Sequence, residues 1–492
     1  MRRRELSIAP SSWHGARDRN ASTGVISLGR TRHVHFVGIG GIGMSGIAEL
    51  VANLGYDVSG SDAKRSEITD RLASMGVRID VGHAAAHIAD ADVVVVSSAI
   101  AADNPEVREA RARHVPVIPR AEMLAELMRL RYGIAIAGAH GKTTTTSMVA
   151  WMLEQAGLDP TAVIGGRLSA FGSNARLGQG KYMVAEADES DASFLRLSPS
   201  IAVVTNIDRE HMETYGTFDH LVEAFRSFAD RVPFYGAVVA CLDDAPVAAL
   251  VPRLTRRTIT YGLDTDADVR GLDAVTDGES GRCQVRYRVR GVPDGDGTGD
   301  LVLNVPGRHN LQNALAAVSV GLELGVPFTR IASGLASFRG AERRYQVRGR
   351  VHGITVVDDY GHHPTEIAAV MRAARAGGPK RVVAVFQPHR YSRTRDLLAE
   401  FGPALGLADV VILTDIYPAG EAPLPGITID TLADVIRAHA GAVRVVPKLD
   451  EVPAAVAAIA GDGDLVFTLG AGSIGGIGDR ILAALAAREG QS

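Results

Sequence analysis

The string Gly138-Ala139-His140-Gly141-Lys142-Thr143-Thr144 places a lysine and two hydroxyls directly behind a glycine loop. It follows the β-rich run Tyr132–Ala137 and opens a helical stretch, Thr144–Ala156, closed by Gly157. Strand, loop and helix in that order form a phosphate cradle. Loop N–H groups face the phosphates, the lysine meets the β/γ oxygens, and the first threonine reaches Mg2+. A full-length loop of this type carries a glycine where this chain has Ile136, so this is the shortened G-x-x-G-K-T form. ATP is the ligand it predicts, bound by Gly138 through Thr144.

A second glycine loop, Gly38-x-Gly40-x-x-Gly43, follows the run His33–Val37 and precedes a helical stretch ending at Gly55. A pyrophosphate on the helix N-terminus is the chemistry this context serves. Asp62, past the next strand, could hold ribose hydroxyls. This pattern alone does not separate a nicotinamide cofactor from a UDP-sugar, and any Gly-rich turn of an α/β domain looks similar.

Acids and histidines cluster where further strands end. Glu186-Ala-Asp188-Glu189-Ser190-Asp191 follows Tyr182–Ala185, the position where a phosphate-loop enzyme keeps a metal ligand. Thr205-Asn206-Ile207-Asp208 closes another strand and leads to Glu210-His211-Met212-Glu213, with His211 a candidate ligand. Asn310 and Asn313 begin an alanine-rich helix; Asn310 suits either an N-cap or a purine contact. In the last third, Asp358 to Pro364 and Gln387 to Arg393 each follow a strand. Two polar clusters at strand ends point at one cleft, and Arg390 with Arg393 can grip a carboxylate or phosphate.

The elements that must position these groups alternate as strand and helix. Further buried strands are expected at Tyr56–Val58, Val93–Val96, Ile201–Thr205, Ala237–Cys241, Val382–Phe386, Val410–Thr414 and Leu465–Leu469, with a third α/β pattern starting near Ile354. Between about 264 and 300 the chain turns polar, with alternation at Cys283–Val289 that predicts antiparallel excursions at a sheet edge. The fold class is therefore α/β: three consecutive domains with mostly parallel sheets. Boundaries are expected near 130 and 341, giving units 31–130, 131–341 and 342–492.

Composition agrees. The 492 residues are 46% apolar and 22% charged, the balance of a globular enzyme with several domains. Lys plus Arg total 52 against 56 Asp plus Glu, a net charge of −4 that argues against a nucleic-acid or membrane-surface binder. No apolar run approaches a membrane span. Two cysteines make neither a disulfide framework nor a zinc site, so a cytoplasmic location is expected. The oligomeric state is left open; a homodimer is compatible with the sequence. Residues 1–30 hold six Arg and no apolar periodicity, the composition of a disordered extension or of an upstream start. Deleting them is expected to leave melting temperature and turnover unchanged.

Five strings in this order resemble the Mur ligases. They are His35-Phe-Val-Gly-Ile-Gly-Gly-Ile-Gly-Met-Ser-Gly46, Gly141-Lys-Thr-Thr-Thr145, Asp358-Asp-Tyr-Gly-His-His-Pro-Thr-Glu366, Phe386-Gln-Pro-His-Arg390 and Tyr417-Pro-Ala-Gly-Glu421. The resemblance runs from about His33 to Gly475 and is strongest to the alanine-adding branch. It implies a Rossmann-like N-terminal domain for a UDP-sugar, a phosphate-loop ATPase centre, and a Rossmann-like C-terminal domain for an amino acid. The implied reaction is ATP-dependent amide formation between UDP-N-acetylmuramate and L-alanine through an acyl phosphate. Gly40, Gly41, Asp62, His83 and Ser98 match UDP-sugar positions; Thr143, Glu186 and His211 match magnesium positions; Asn310 and Asn313 match positions near adenine. Tyr360, His362, Arg390 and Arg393 match the alanine pocket, and Lys142, His211 and His362 are the implied catalytic groups. Ala139, Glu210 and Ser473 depart from the common Thr, Asp and Asp. Branches adding later residues use a carbamoylated lysine beyond the His-Met pair. No lysine lies between Met212 and Gly236, which fits the alanine-adding branch. A ligase attaching a preformed peptide would differ mainly in the alanine pocket. A nicotinamide oxidoreductase would leave Lys142 without a task, and a regulatory ATP binder would not need the two C-terminal clusters.

Overall fold

A computed structural model describes residues 28–97, 99–168, 173–292 and 294–490. Among the described residues three sheets, of five, ten and six strands, follow one another along the chain. The first has five parallel strands in the spatial order Arg78–Val81, Asp57–Asp62, His33–Val37, Val93–Val96, Val117–Pro119. Strand order reverses beside His33–Val37, so the glycine loop after it and the segment after Val96 open onto one crevice. A Cβ on Gly38 would lie 3.2 Å from Ile100 Cδ1, which shows how closely the two loops face each other.

The second strand of this sheet runs to Asp62, beyond the expected Tyr56–Val58. Its polar end is buried because each side chain is paired. Ser59 Oγ lies 2.7 Å from both His33 Nε2 and His35 Nδ1. Ser61 Oγ donates to Glu106 Oε2 at 2.6 Å. Glu106, fully buried, also takes the His87 Nδ1 proton at 2.8 Å and the Ala84 N–H at 3.3 Å. Burial alone would raise its pKa, but the bonds from His35, Ser61 and His87 hold it at about 2. Its stabilisation is complete above the ordinary value of 4.5 and is lost as pH falls toward 2. Glu106→Ala should cost about 1–3 kcal/mol in a denaturant melt, because the donors it satisfies stay buried.

The central sheet has ten strands. Its parallel middle carries Tyr132–Ala137 between Ile201–Val204 and Tyr182–Glu186. At one edge Val269–Thr276, Gly281–Arg288 and Asp296–Leu303 run antiparallel, the excursion expected from the polar alternation. Thr161–Leu168 and Ser173–Arg176 form an antiparallel pair at the other edge. The helices Lys142–Gln155 and Arg308–Glu323 bury Met148, Met152, Leu311 and Leu315 on one face of the sheet. The third sheet has six strands, five of them parallel. Gln346–Val351, which period-2 patterning does not reveal, adds an antiparallel edge strand to Ile354–Asp359. Asp464–Leu469 lies between Ile354–Asp359 and Arg381–Phe386 and runs parallel to both, so the two polar clusters leave the same edge of the sheet from strands separated by one other.

Cys241 and Cys283 are buried free thiols. Among the described residues no helix is long and apolar enough to cross a membrane. Within the extension expected at residues 1–30, Leu28 makes a contact with the first sheet: its N–H donates to the Tyr56 hydroxyl at 2.9 Å. Leu28 also packs against the first domain, so the silent deletion should end at residue 27.

Candidate active site

The phosphate loop hangs from the middle of the central sheet. Gly141 caps the helix Lys142–Gln155 at φ +79°, and a Cβ there would lie 2.7 Å from Asn313 Oδ1. Gly138 sits at φ +142°, where a Cβ would collide with Thr205 Oγ1. Both positions need glycine for backbone conformation and for space. Lys142 Nζ folds onto its own loop, donating to the carbonyls of Gly138 at 2.6 Å and Ala139 at 3.0 Å. It also donates to Glu189 Oε1 at 2.8 Å. Burial opposes the charge, but Glu189 and Glu186 keep the ammonium protonated.

Thr143 Oγ1 lies 3.0 and 3.2 Å from the two oxygens of Glu186, which ends the neighbouring strand. Beyond it, His211 Nε2 stands 3.6 Å from Glu210 Oε2 and 3.9 Å from Glu189 Oε1. His211 occupies the left-handed region at φ +57° and caps the helix Met212–Tyr215. Burial holds its imidazole neutral, the form that ligates metal. Glu189 Oε2 and Glu210 Oε1 are buried without a hydrogen-bond partner among the described residues. Glu189 Oε2, and Glu210 Oε1 with only the Arg393 guanidinium 3.8 Å away, stand beside a neutral histidine and fit a divalent cation. His140, Glu210 and His363 also lie close together, yet their protons argue against a metal there. His363 Nδ1 accepts the Thr365 N–H at 3.3 Å, which leaves the proton on Nε2. His140 Nε2 donates to Asp208 Oδ2 at 2.8 Å, and despite burial Asp208 and Glu366 push the His140 pKa up to about 10.

The third domain closes the site. Tyr360 and His362 follow the strand Ile354–Asp359, with ring centroids 5.5 Å apart. His362 Nδ1 donates to the Tyr360 carbonyl at 3.1 Å, which leaves its Nε2 as an acceptor. Burial keeps this imidazole neutral, pushing its pKa down to about 4. Arg393 Nη2 reaches to 3.8 Å from Glu210 Oε1. Lys142, Thr143, Glu186, His211, Tyr360, His362 and Arg393 line one cavity of about 480 Å3, together with Ser45 and Arg71 from the first domain. Arg390 does not line it. Its guanidinium is 41% exposed and lies 3.7 Å from Glu213 and 3.9 Å from Glu421, so the two arginines do not form a joint grip here.

A second cavity, of about 640 Å3, lies on the other side of the phosphate loop. His140, Gly141, Thr144, Asn310 and Asn313 line it. Asn310 is not an N-cap: the helix begins at Arg308, and Asn310 Nδ2 donates back to the Pro306 carbonyl at 2.6 Å. Gly40, Gly41, Asp62 and His83 line neither cavity. Asp62 Oδ2 accepts the Gly40 N–H at 2.8 Å and so holds the glycine loop. His83 Nδ1 lies 3.1 Å from Ser61 Oγ in the polar network of the first domain. Ser98 lies outside the described residues.

Sequence reasoning missed Arg344 and the weight of Glu189, Glu210 and Glu366. Arg344 and Glu366 line both cavities. An arginine pair at a domain boundary carries no pattern that separates it from a solvated linker. Glu189 sits in an acidic string whose members differ only in where the fold points them.

Comparisons with known proteins bear on the family and the fold. Residues 33–132 match the Mur ligase family catalytic domain, 136–321 the Mur ligase middle domain, and 343–472 the Mur ligase glutamate ligase domain. The chain is 54% identical over 460 residues to a UDP-N-acetylmuramate–L-alanine ligase of Geobacter sulfurreducens, covering 93% of this chain and 98% of that one. A protein of the same name from Anaeromyxobacter dehalogenans is 54% identical over 463 residues, covering 94% and 100%. Among solved structures, a UDP-N-acetylmuramate-alanine ligase from Thermotoga maritima superposes with a TM-score of 0.77 at 29% identity, covering 93% of this chain and 99% of that one. A murein peptide ligase from Psychrobacter arcticus reaches 0.67 at 25% identity, covering 92% and 99%. With three consecutive domain matches and relatives of this identity along nearly its whole length, the chain belongs to the Mur ligase family.

Proposed function

We propose that this protein is an ATP-dependent ligase that joins the lactyl carboxylate of UDP-N-acetylmuramate to the amine of L-alanine, in the synthesis of peptidoglycan precursors. The observation that carries this is the single cavity in which a phosphate-loop lysine, cation-type acids and a Tyr-His-Arg cluster from another domain meet. A carboxylate resists an amine because its leaving group would be oxide. Transfer of the γ-phosphoryl group of ATP gives an acyl phosphate and ADP; the amine then attacks the acyl carbon and phosphate leaves.

The chain's contribution is placement and charge. Asn310 and Asn313 border the space for the purine, and the loop Gly138–Thr144 receives the phosphates between the two cavities. Lys142 exchanges its loop carbonyls for the transferring phosphoryl oxygens, whose charge it neutralises. Magnesium, when bound, supplies further neutralisation at those oxygens; Thr143, Glu186 and His211 would hold it, with Glu189 and Glu210 offering oxygens beside them. Tyr360, His362 and Arg393 line the space on the amino-acid side, while Arg390 stays outside that lining beside Glu213. Enclosure by three domains keeps water from the acyl phosphate. Gly40, Gly41, Asp62, His83 and Ser98 remain the proposed UDP-sugar contacts of a first domain ending near residue 130, and the ATPase domain ends near 341.

Phosphate release with UDP-N-acetylmuramate and ATP, measured against a panel of amino acids and peptides, tests this. Alanine should support release and peptides should not. Release with peptides alone would make the protein a peptide-attaching ligase of the same fold.

A further inference from the structure

Asp208 serves two domains at once. Its Oδ2 accepts a hydrogen bond from His140 Nε2 of the phosphate loop at 2.8 Å and another from Thr365 Oγ1 at 2.8 Å. Thr365 stands in the first turn of the helix Pro364–Ala376, which belongs to the third domain. The same oxygen is 3.7 Å from His363 Nδ1. On the opposite side of the His140 ring, Glu366 Oε1 lies 3.5 Å from Nδ1. The other oxygen of Glu366 accepts the backbone N–H groups of His362 at 3.1 Å and His363 at 3.3 Å. One loop histidine is thus clasped between a central-domain carboxylate and a third-domain carboxylate. The third-domain carboxylate also fixes the backbone of His362, which lines the amino-acid side of the cavity.

We propose that Asp208 and Thr365 are positioning residues that set the amino-acid pocket in register with the phosphate loop. Neither needs to touch a reacting atom. Their bond fixes the distance between the domain that makes the acyl phosphate and the domain that presents the amine. A displacement of about 1 Å between reacting groups is enough to cost up to 10²-fold in rate. The contact should therefore matter in the second half-reaction and little in the first.

The inference rests on the ligase reading, and one experiment separates the two. Wild type, Thr365→Val, Thr365→Ser, Asp208→Asn and the Val/Asn double variant are incubated with ATP and UDP-N-acetylmuramate. One arm contains hydroxylamine to trap the acyl phosphate as hydroxamate; the other contains alanine, and its kcat/KM is measured. Thr365→Val should lower kcat/KM for alanine by roughly 3- to 10-fold, the loss of one hydrogen bond to a charged group at an exposed position. Thr365 also borders the cavity that holds Asn310 and Asn313, so ATP is kept saturating, and the variant's hydroxamate yield should then fall less than its kcat/KM for alanine. Thr365→Ser, which keeps the hydroxyl, should restore alanine use. The double variant should be no worse than Asp208→Asn, because the two residues act through one bond. Unchanged alanine kinetics in Thr365→Val, an equal loss of hydroxamate, or fully additive single effects would each overturn the positioning role while leaving the ligase reading intact. Wild-type protein that forms no hydroxamate would refute that reading and the positioning role with it.

Discussion

Lys142→Ala should cut turnover by at least roughly 10²-fold, the size expected when one preorganised charge contact to a developing anion is lost. The structure sharpens the expectation. Lys142 is held by two loop carbonyls and by Glu189, so its ammonium is already oriented before any phosphate arrives. The alanine variant leaves Glu189, 2% exposed, without its cation, and part of the loss can come from a misplaced acid. Lys142→Arg separates the two effects: it keeps a positive charge for Glu189 but does not fit the loop as a compact ammonium. Both variants should lose hydroxamate formation in mixtures without alanine, and their melting temperatures report on Glu189. Near-normal turnover in Lys142→Ala would remove the assignment of the loop to ATP.

Arg393→Ala should raise the KM for alanine by roughly 10- to 150-fold, corresponding to a charged hydrogen bond of about 1.5–3 kcal/mol. The KM for ATP should move little. Arg393 lines the cavity with a side chain only 13% exposed, whereas Arg390 is 41% exposed and faces Glu213 and Glu421. The Arg390→Ala effect should accordingly be the smaller of the two. Arg393→Lys should rescue in part, since a point charge does not reproduce the planar fork. If hydroxamate formation without alanine disappears in Arg393→Ala, this residue belongs to phosphoryl transfer and not to the amino-acid pocket.

The phosphate loop was legible because its signal is local. Glycines, lysine, threonines and the flanking strand and helix occupy one short stretch, and each obeys the same geometry. The all-valine strand Val93–Val96 was legible for a similar reason, since burial on both faces leaves a continuous apolar run. Ser59 to Asp62 was not. Its burial depends on His33, His35 and Glu106, which are distant in sequence and neutralise its polarity only after folding. The same distance hid the different roles of Arg390 and Arg393. Three residues apart, they looked like one grip, but the turn at Arg390, with φ +71°, sends them to different partners. Arg344 and Glu366 gained importance only through domain packing, which no local pattern encodes.

The phosphate loop separates two cavities of about 640 and 480 Å3 that share Arg344 and Glu366 in their walls. This arrangement bears on inhibition. A compound with one arm in each cavity makes its second binding event intramolecular, at an effective concentration in the millimolar range for a short linker of matching span. Two weak fragments joined in that way gain about 10²- to 10⁴-fold in avidity without a new contact. The linker has to pass the loop beside Arg344 and Glu366, so its length and stiffness, more than the affinity of either arm, govern how tightly such a molecule holds.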